Sequence, residues 1–304
     1  MASQTSSLTS RLRQKANART LGRAGWAIFR LVIIAGLCFQ ILYPFIIKIL
    51  KAFMSTGDLT DPTVKIYPRH FSTYFWQTAF DNMDYISNFL NSLIMALSVA
   101  LIQILICSMV GYGLAKFRFK ARGYVFVLVI ATLLVPPQVY SSPMFLLFKT
   151  LGLTDTPFPN ILLSLLGIGF RNGLYIFIMR QFFIGMPKEL EEAAYIDGYG
   201  PYATFFRIML PNALNMIIVV FMLSFAWQWT DVFYSHLLNI KNSNLAVAIL
   251  NITQVMATGE KMDQTVFFVI RNTATLLLVA PLLVLFGIAQ KRLIEGVERS
   301  GIVG

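Results

Sequence analysis

Six apolar stretches, each long enough to cross a bilayer, constrain this chain more than any other feature. A hydrocarbon core about 30 Å thick needs about 20 apolar helical residues. The stretches at 26–50, 86–115, 123–148, 158–183, 212–236 and 264–290 reach that length. Charge is correspondingly scarce: 13% of the 304 residues are charged and 57% are hydrophobic, against about 25% charged in an average soluble domain. A soluble globule with an oversized core is set aside on that ground, and the expected fold class is an all-α membrane protein with six transmembrane helices. The first stretch is too long for a signal-peptide core and lacks a small-residue cleavage pattern after it, so it is expected to be retained. Cys38 and Cys107 lie inside apolar stretches with no metal spacing, and read as small core residues.

The excess of 25 Lys and Arg over 14 Asp and Glu could suggest nucleic acid, but the basic residues flank the apolar runs and instead report topology. Arg11, Arg13, Lys15, Arg19 and Arg23 precede the first stretch, and Lys116, Arg118, Lys120 and Arg122 join the second to the third. Lys291, Arg292 and Arg299 follow the sixth. With six spans all of these fall on one side, and basic loops stay in the cytoplasm. Both termini are then cytoplasmic, and residues 51–85 form an ordered external loop carrying Asp58, Asp61, Asp81 and Asp84. The expected division is a cytoplasmic tail over 1–25, a six-span domain over 26–290 and a cytoplasmic tail over 291–304.

One segment breaks the apolar pattern. Between the fourth and fifth stretches stand Glu189, Glu191 and Glu192, then Ala193-Ala194, Asp197-Gly198, Gly200-Pro201 and Leu210-Pro211. Pro187 suits a helix start, where a missing N–H costs nothing, and the acids then lie at the positive end of the helix dipole. Gly198 can adopt the left-handed conformation that ends a helix. The expected product is a helix–turn–helix knob on the cytoplasmic side.

The spacing Glu192-Ala193-Ala194, three residues, Gly198, nine residues, Ile208, one residue, Leu210-Pro211 resembles, without a gap, the EAA loop of ABC importer permeases. "RQFFIGMPKELEEAAYIDG", "GYGLAKFRFKARG", "LLVPPQVYSSPMFLLFKTLGLTDT" and the closing "GVERSGIVG" extend the resemblance over nearly the whole chain, to the shorter permease of maltose-type carbohydrate importers. The resemblance implies a type I ABC importer permease fold in a prokaryotic cell membrane. It also implies a homologous second permease, two copies of a cytoplasmic ATPase that bind Mg-ATP, and an extracytoplasmic solute-binding protein. The loop over 184–211 would be the coupling element, with Glu191, Glu192, Ala193, Ala194, Tyr195, Ile196, Asp197, Gly198, Ile208, Leu210 and Pro211 serving ATPase coupling. In the family the C-terminal tail reaches the ATPase as well, which brings in Gly296, Gly301 and Gly304.

Polar residues inside apolar stretches are expensive and become suspects for a transport path. They are Arg171 and Asn172 in the fourth stretch, Asp231 in the fifth and Arg271 in the sixth. On a continuous helix Arg171 would lie roughly 20 Å from the external end, near mid-membrane, while Asp231 and Arg271 would lie at depths that let them pair. "FAWQWTDVFY" adds Trp227, Gln228, Trp229, Phe233 and Tyr234, a mixture of aromatic faces and hydrogen-bonding groups that suits a sugar as well as an interfacial belt. Pro136-Pro137 should break the third helix beside a cavity.

No Gly-Lys dipeptide occurs in the chain, so no phosphate loop of the Walker type is present and ATP hydrolysis would fall to separate subunits. No metalloprotease or nucleophile-elbow motif occurs either; no cofactor, metal or catalytic residue is expected, nor a nucleic-acid partner. An ion-driven secondary transporter, the rival class, would need mid-membrane carboxylates and often shows repeated halves; only Asp231 qualifies and no repeat is visible. The expected cargo is a carbohydrate, an oligosaccharide foremost, with glycerol phosphate or uronic-acid sugars as the anionic alternative.

Overall fold

The computed structural model describes the backbone of residues 2–238, 244–257 and 263–301, with side chains described outside 2–22, 24, 253–257 and 295–301. Every regular element among the described residues is helical. Two compact units are distinguished, residues 1–75 and 76–304.

In the first unit, helix α1 (Ala2–Ala52) runs without interruption through the basic tail and the first apolar stretch, so the tail is helical rather than separate from the span. Its apolar part is exposed from Gly25 to Ile46 and becomes covered only toward the buried Ala52, and Cys38 is exposed with it. The loop that follows is ordered around Asp58, at the start of α2 (Thr56–Thr60). The buried Asp58 carboxylate accepts the backbone N–H groups of Arg69 (3.0 Å) and His70 (2.9 Å). The His70 backbone N–H is foremost in holding this carboxyl below its ordinary pKa, against the opposing effect of burial.

α3 (Tyr74–Asn82) begins at the division between the units. The second unit is organised by α4 (Tyr85–Lys116), which packs along α8 (Asn172–Gly185) and α12 (Leu214–Trp229). α4 and α8 approach closely at Gly111, where an added Cβ would stand 2.8 Å from the Met179 Cβ. Small residues at such crossings let apolar helices meet in lipid.

The remaining apolar stretches are broken. α5 (Arg122–Leu134) and α6 (Pro137–Thr150) meet at 96°, because Pro136-Pro137 cannot continue the ladder. The fourth stretch divides into α7 (Phe158–Leu165) and α8, separated by an irregular segment. The fifth ends at Trp229, and a short α13 (Phe233–Leu238) follows a break at 230–232. An unforeseen α14 (Leu245–Ala257) precedes the long α15 (Gln264–Gly301). Its 13 residues are too few for a span, which is why apolar length gave no sign of it.

Among the described residues, three helices are long and apolar enough to cross a membrane, and up to five if each bent pair counts as one span. The six spans expected from hydropathy are thus not confirmed by the length of the described helices. Hydropathy measures apolar length, and glycine and proline cut that length into shorter helices.

Candidate functional site

The second unit carries two polar constructions, one at each end of α8. At the C-terminal end Met186 leaves the helix in an extended conformation, and α9 (Glu189–Ile196) begins two residues later than Pro187 alone suggested. Lys188 is its N-cap and Pro187 precedes it. Glu189, Glu191 and Glu192 fill the first turn, where carboxylates complement the helix dipole. The helix stops at Gly198 (φ +83°). The N–H of Gly198 donates to Tyr195 O and that of Tyr199 to Ala194 O, the pair of bonds that defines a Schellman stop. α10 (Pro201–Thr204), a π segment (Phe205–Met209) and α11 (Leu210–Asn212) then return the chain to α12.

Two neighbouring glutamates in this knob have opposite surroundings. Glu191 is buried; its carboxylate accepts the Tyr112 hydroxyl at 2.7 Å and pairs with Lys116 Nζ at 3.2 Å, both from the end of α4. Lys116 also donates to Met186 O at 2.9 Å. Tyr112 is packed edge-on against Phe183 and tilted against Phe205. Glu192, Ala193, Tyr195, Ile196, Asp197 and Gly198 are exposed, while Ala194 is buried. Ile208 and Leu210 are half-buried and pack on the Tyr112–Phe183–Met209 core, and Pro211 is exposed. The knob is thus pinned from within by Glu191 and free on the face of Glu192 and Ile196. Sequence reading missed Tyr112 and treated Lys116 only as a topology charge.

At the N-terminal end of α8, α7 stops by the same backbone device. Gly167 (φ +75°) donates its N–H to Ser164 O and Ile168 to Leu163 O. Gly169 is irreplaceable for another reason: a Cβ there would lie 2.7–2.9 Å from atoms of Ser164. Arg171 then takes a left-handed conformation (φ +65°) as the N-cap of α8. It is not a mid-helix residue, as a continuous fourth span would have made it.

The break is closed by buried amides. Gln103 Nε2, from α4, donates to Phe170 O (2.8 Å) and Asn172 Oδ1 (2.5 Å). Asn172 Nδ2 donates to Ser164 O at 3.0 Å, and the Ser224 hydroxyl bonds Gln103 Oε1. Gln103 was not foreseen, since nothing local in the sequence ties it to a residue 69 positions away. Backbone freed by a helix break inside a membrane must be satisfied by protein, and this is how it is done here.

A cavity of about 980 Å³ opens beside the break. Arg171, Phe233, Tyr234, Gln138 and Tyr140 line it, together with Pro136-Pro137. The Arg171 guanidinium lies 4.2 Å from the centroid of the Trp227 ring and 5.1 Å from that of Phe170. The Tyr140 and Tyr234 hydroxyls are 3.0 Å apart.

Only part of the expected transport path reaches this cavity. Asn172 is buried in the amide cluster. Trp229 is buried, stacks on Phe225 and donates its indole N–H to Leu278 O on α15 at 2.9 Å. Gln228 is buried as well. Asp231 caps α13, accepting the backbone N–H and hydroxyl of Ser235 at 2.8 and 2.9 Å. Arg271, expected within pairing range of Asp231, lies over the Phe268 ring at 5.2 Å, and the two form no ion pair among the described residues. Trp227 and Trp229 point to different sides because two residues turn a helix by about 200°. Of the C-terminal glycines, Gly296 and Gly301 belong to α15, and Gly304 lies outside the described residues.

Residues 103–299 match the family described as the binding-protein-dependent transport system inner membrane component. The chain belongs to that family. It is therefore a multi-pass membrane permease of the ABC importer type. Curated relatives include the probable ABC transporter permease protein YurM of Bacillus subtilis (strain 168), 28% identical over 92% of this chain and 88% of that protein. The arabinooligosaccharides transport system permease protein AraQ of Halalkalibacterium halodurans is 29% identical, over 70% of this chain and 73% of that protein. The sn-glycerol-3-phosphate transport system permease protein UgpE of Pectobacterium atrosepticum is 30% identical, over 58% and 60%. Among solved structures, a bacterial ABC transporter involved in the import of the acidic polysaccharide alginate superposes with a TM-score of 0.73 at 18% identity. The match covers 88% of this chain and 95% of that one, a likeness of fold.

Proposed function

We propose that this permease is one of two transmembrane subunits of an ATP-driven, binding-protein-dependent importer of carbohydrate, an oligosaccharide foremost. Six crossings with cytoplasmic termini remain our reading of its topology, each broken stretch serving as one crossing. The observation that carries the function is the knob: a helix pinned to α4 through Glu191 and presenting Glu192, Tyr195 and Ile196 outward. That is the form a joint needs if a partner is to push on it and move α4 and α8. The partner would be a cytoplasmic ATPase, present in two copies and binding Mg-ATP, with α15 extending to it past Gly296 and Gly301. A second, homologous permease would complete the path, and a solute-binding protein would deliver cargo from outside. ATP binding would open the cavity outward, and hydrolysis would return it to the inner side. The sugar-transporting relatives and the aromatic cavity lining at Phe233 and Tyr234 support the choice of cargo.

The test is reconstitution in liposomes. The complete assembly should transport an oligosaccharide with ATP, and this chain alone should transport none. Uptake by the isolated chain would remove the importer assignment.

A further inference from the structure

The cavity beside the helix break has one charged side chain in its lining, Arg171. Its side chain is exposed, and no carboxylate lies within ion-pairing distance of it among the described residues. The guanidinium carbon lies 4.2 Å from the centre of the Trp227 ring, with the Phe170 ring at 5.1 Å. A guanidinium placed over aromatic rings keeps N–H groups with which it can bond an anion in a two-pronged fashion. The backbone is shaped to the same end. Arg171 occupies a left-handed conformation, a strain of order 1–3 kcal/mol that persists where the surroundings enforce it. The surroundings here are the tight contact at Gly169 and the Gln103 bond to Phe170 O. At about 980 Å³ the space is at the upper end of the roughly 300–1,000 Å³ range of small-molecule sites. Phe233 and Tyr234 on its wall offer ring faces, and Gln138 and the Tyr140 hydroxyl offer polar groups.

A fixed, uncompensated cation beside aromatic walls suits a particular kind of sugar. We infer that this cavity is a cargo subsite for an acidic saccharide, in which Arg171 receives a sugar carboxylate while the aromatic wall receives the ring. The inference rests on the carbohydrate reading above and narrows it. The counter-charge to Arg171 is then supplied by the cargo during each passage.

The experiment uses the complete importer with its binding protein in proteoliposomes. Three cargoes are offered: a uronic-acid trisaccharide, its carboxyl-reduced neutral counterpart, and sn-glycerol 3-phosphate. The wild-type assembly should transport the uronic-acid trisaccharide. Arg171→Gln should lower that uptake at least tenfold in the assembled importer. Arg171→Lys keeps the charge but loses the fork, and should fall between the two. Gln138→Glu, which adds a competing anion to the lining, should also depress uptake of the acidic sugar. If Arg171→Gln does not assemble, Arg171→Lys and Gln138→Glu decide the matter.

Transport of the neutral trisaccharide alone would overturn the acidic subsite and leave the carbohydrate reading standing. Transport of glycerol phosphate alone would overturn both. Undiminished uptake of the acidic sugar in the assembled Arg171 variants would overturn the assignment of Arg171, since its counter-ion would then be an acid of a partner subunit.

Discussion

The chain ends helices in nearly the same way at Gly152 after α6, at Gly167 after α7 and at Gly198 after α9, yet the last two stops, at the two ends of α8, have opposite consequences. Both glycines have positive φ, +75° and +83°, and both stops are closed by the same two backbone bonds. After Gly198 the chain stays exposed, and an added Cβ would meet nothing within 4 Å. After Gly167 it runs into a buried amide cluster, and within two residues Gly169 has no room for a Cβ. Charge is arranged in the reverse sense. Near Gly198 the Glu191–Lys116 pair is buried and compensated; beyond Gly167, Arg171 is exposed to a cavity with no counter-ion among the described residues. A compensated buried charge serves position, whereas an uncompensated exposed one is available for ligand. Mutations at the Gly198 end should therefore lower stability and coupling together, and mutations at the Gly167 end should separate them.

The largest effect should come from α12, which borders the Arg171 end of α8. Trp229→Ala removes a fully buried indole from contact with Phe225 and Phe89 and from its bond to Leu278 O. Such truncations cost about 3–5 kcal/mol. Trp227→Ala, two residues earlier and exposed, should cost far less stability but lower transport. Thermal unfolding of the detergent-solubilised chain measures the first difference. Equal destabilisation would mean that the Trp227 face of α12 is also structural.

Lys116→Met should come next. It leaves the Glu191 carboxylate buried with only the Tyr112 hydroxyl, and breaking a buried pair from one side costs about 3 kcal/mol or more. The knob should loosen from α4, so limited proteolysis across 197–200 should accelerate, and basal ATP hydrolysis in the assembly should no longer respond to cargo. Unchanged cleavage together with normal coupling would place the pin elsewhere.

How much of this was legible follows from the same comparison. The stop at Gly198 could be read because its signals are local: three acids, two alanines and a glycine at fixed spacing, in polar surroundings that interrupt an apolar chain. The stop at Gly167 used the same glycine chemistry, but Leu165, Leu166, Ile168 and Phe170 hid it within an apolar run. Gly167, Gly169 and Gly173 were the available signal, the last because a Cβ there would stand 2.5 Å from Thr132 Oγ1. Arg171 was singled out as a charge within an apolar run, but a continuous helix was the wrong frame for it. Gln103 and Tyr112 could not be found locally, because their partners lie 69 and 79 positions away. Trp227 and Trp229 were grouped by composition, and only packing separates them.

Matched glycine substitutions sharpen the comparison at smaller magnitude. Gly167→Val and Gly198→Val each force a β-branched residue into a left-handed conformation, at about 1–2 kcal/mol. Neither meets a close steric obstacle, since the nearest atom to a Cβ at Gly167 is the Ile106 Cγ2 at 3.9 Å. Their stability losses should therefore agree closely while their functional losses diverge. Gly198→Val should weaken ATPase assembly or uncouple hydrolysis; Gly167→Val should leave assembly intact and depress cargo uptake. Identical functional phenotypes would collapse the two ends of α8 into one site.

The smallest effect has the opposite sign. Arg171 holds a left-handed conformation that glycine adopts without steric cost, and its side chain contributes exposed stacking rather than core packing. Arg171→Gly should thus leave stability unchanged or raise it by up to about 1 kcal/mol. It should still abolish whatever the guanidinium does in the cavity. The Gln103 bonds to Phe170 O and Asn172 involve no atom of the Arg171 side chain, so the break should keep its shape. A variant that unfolds at the same or a higher temperature yet transports poorly would identify Arg171 as a residue retained for cargo at the expense of the fold. A variant that loses stability would instead make the stacked Arg171–Trp227 pair a structural clasp, and the contrast between the two ends of α8 would disappear.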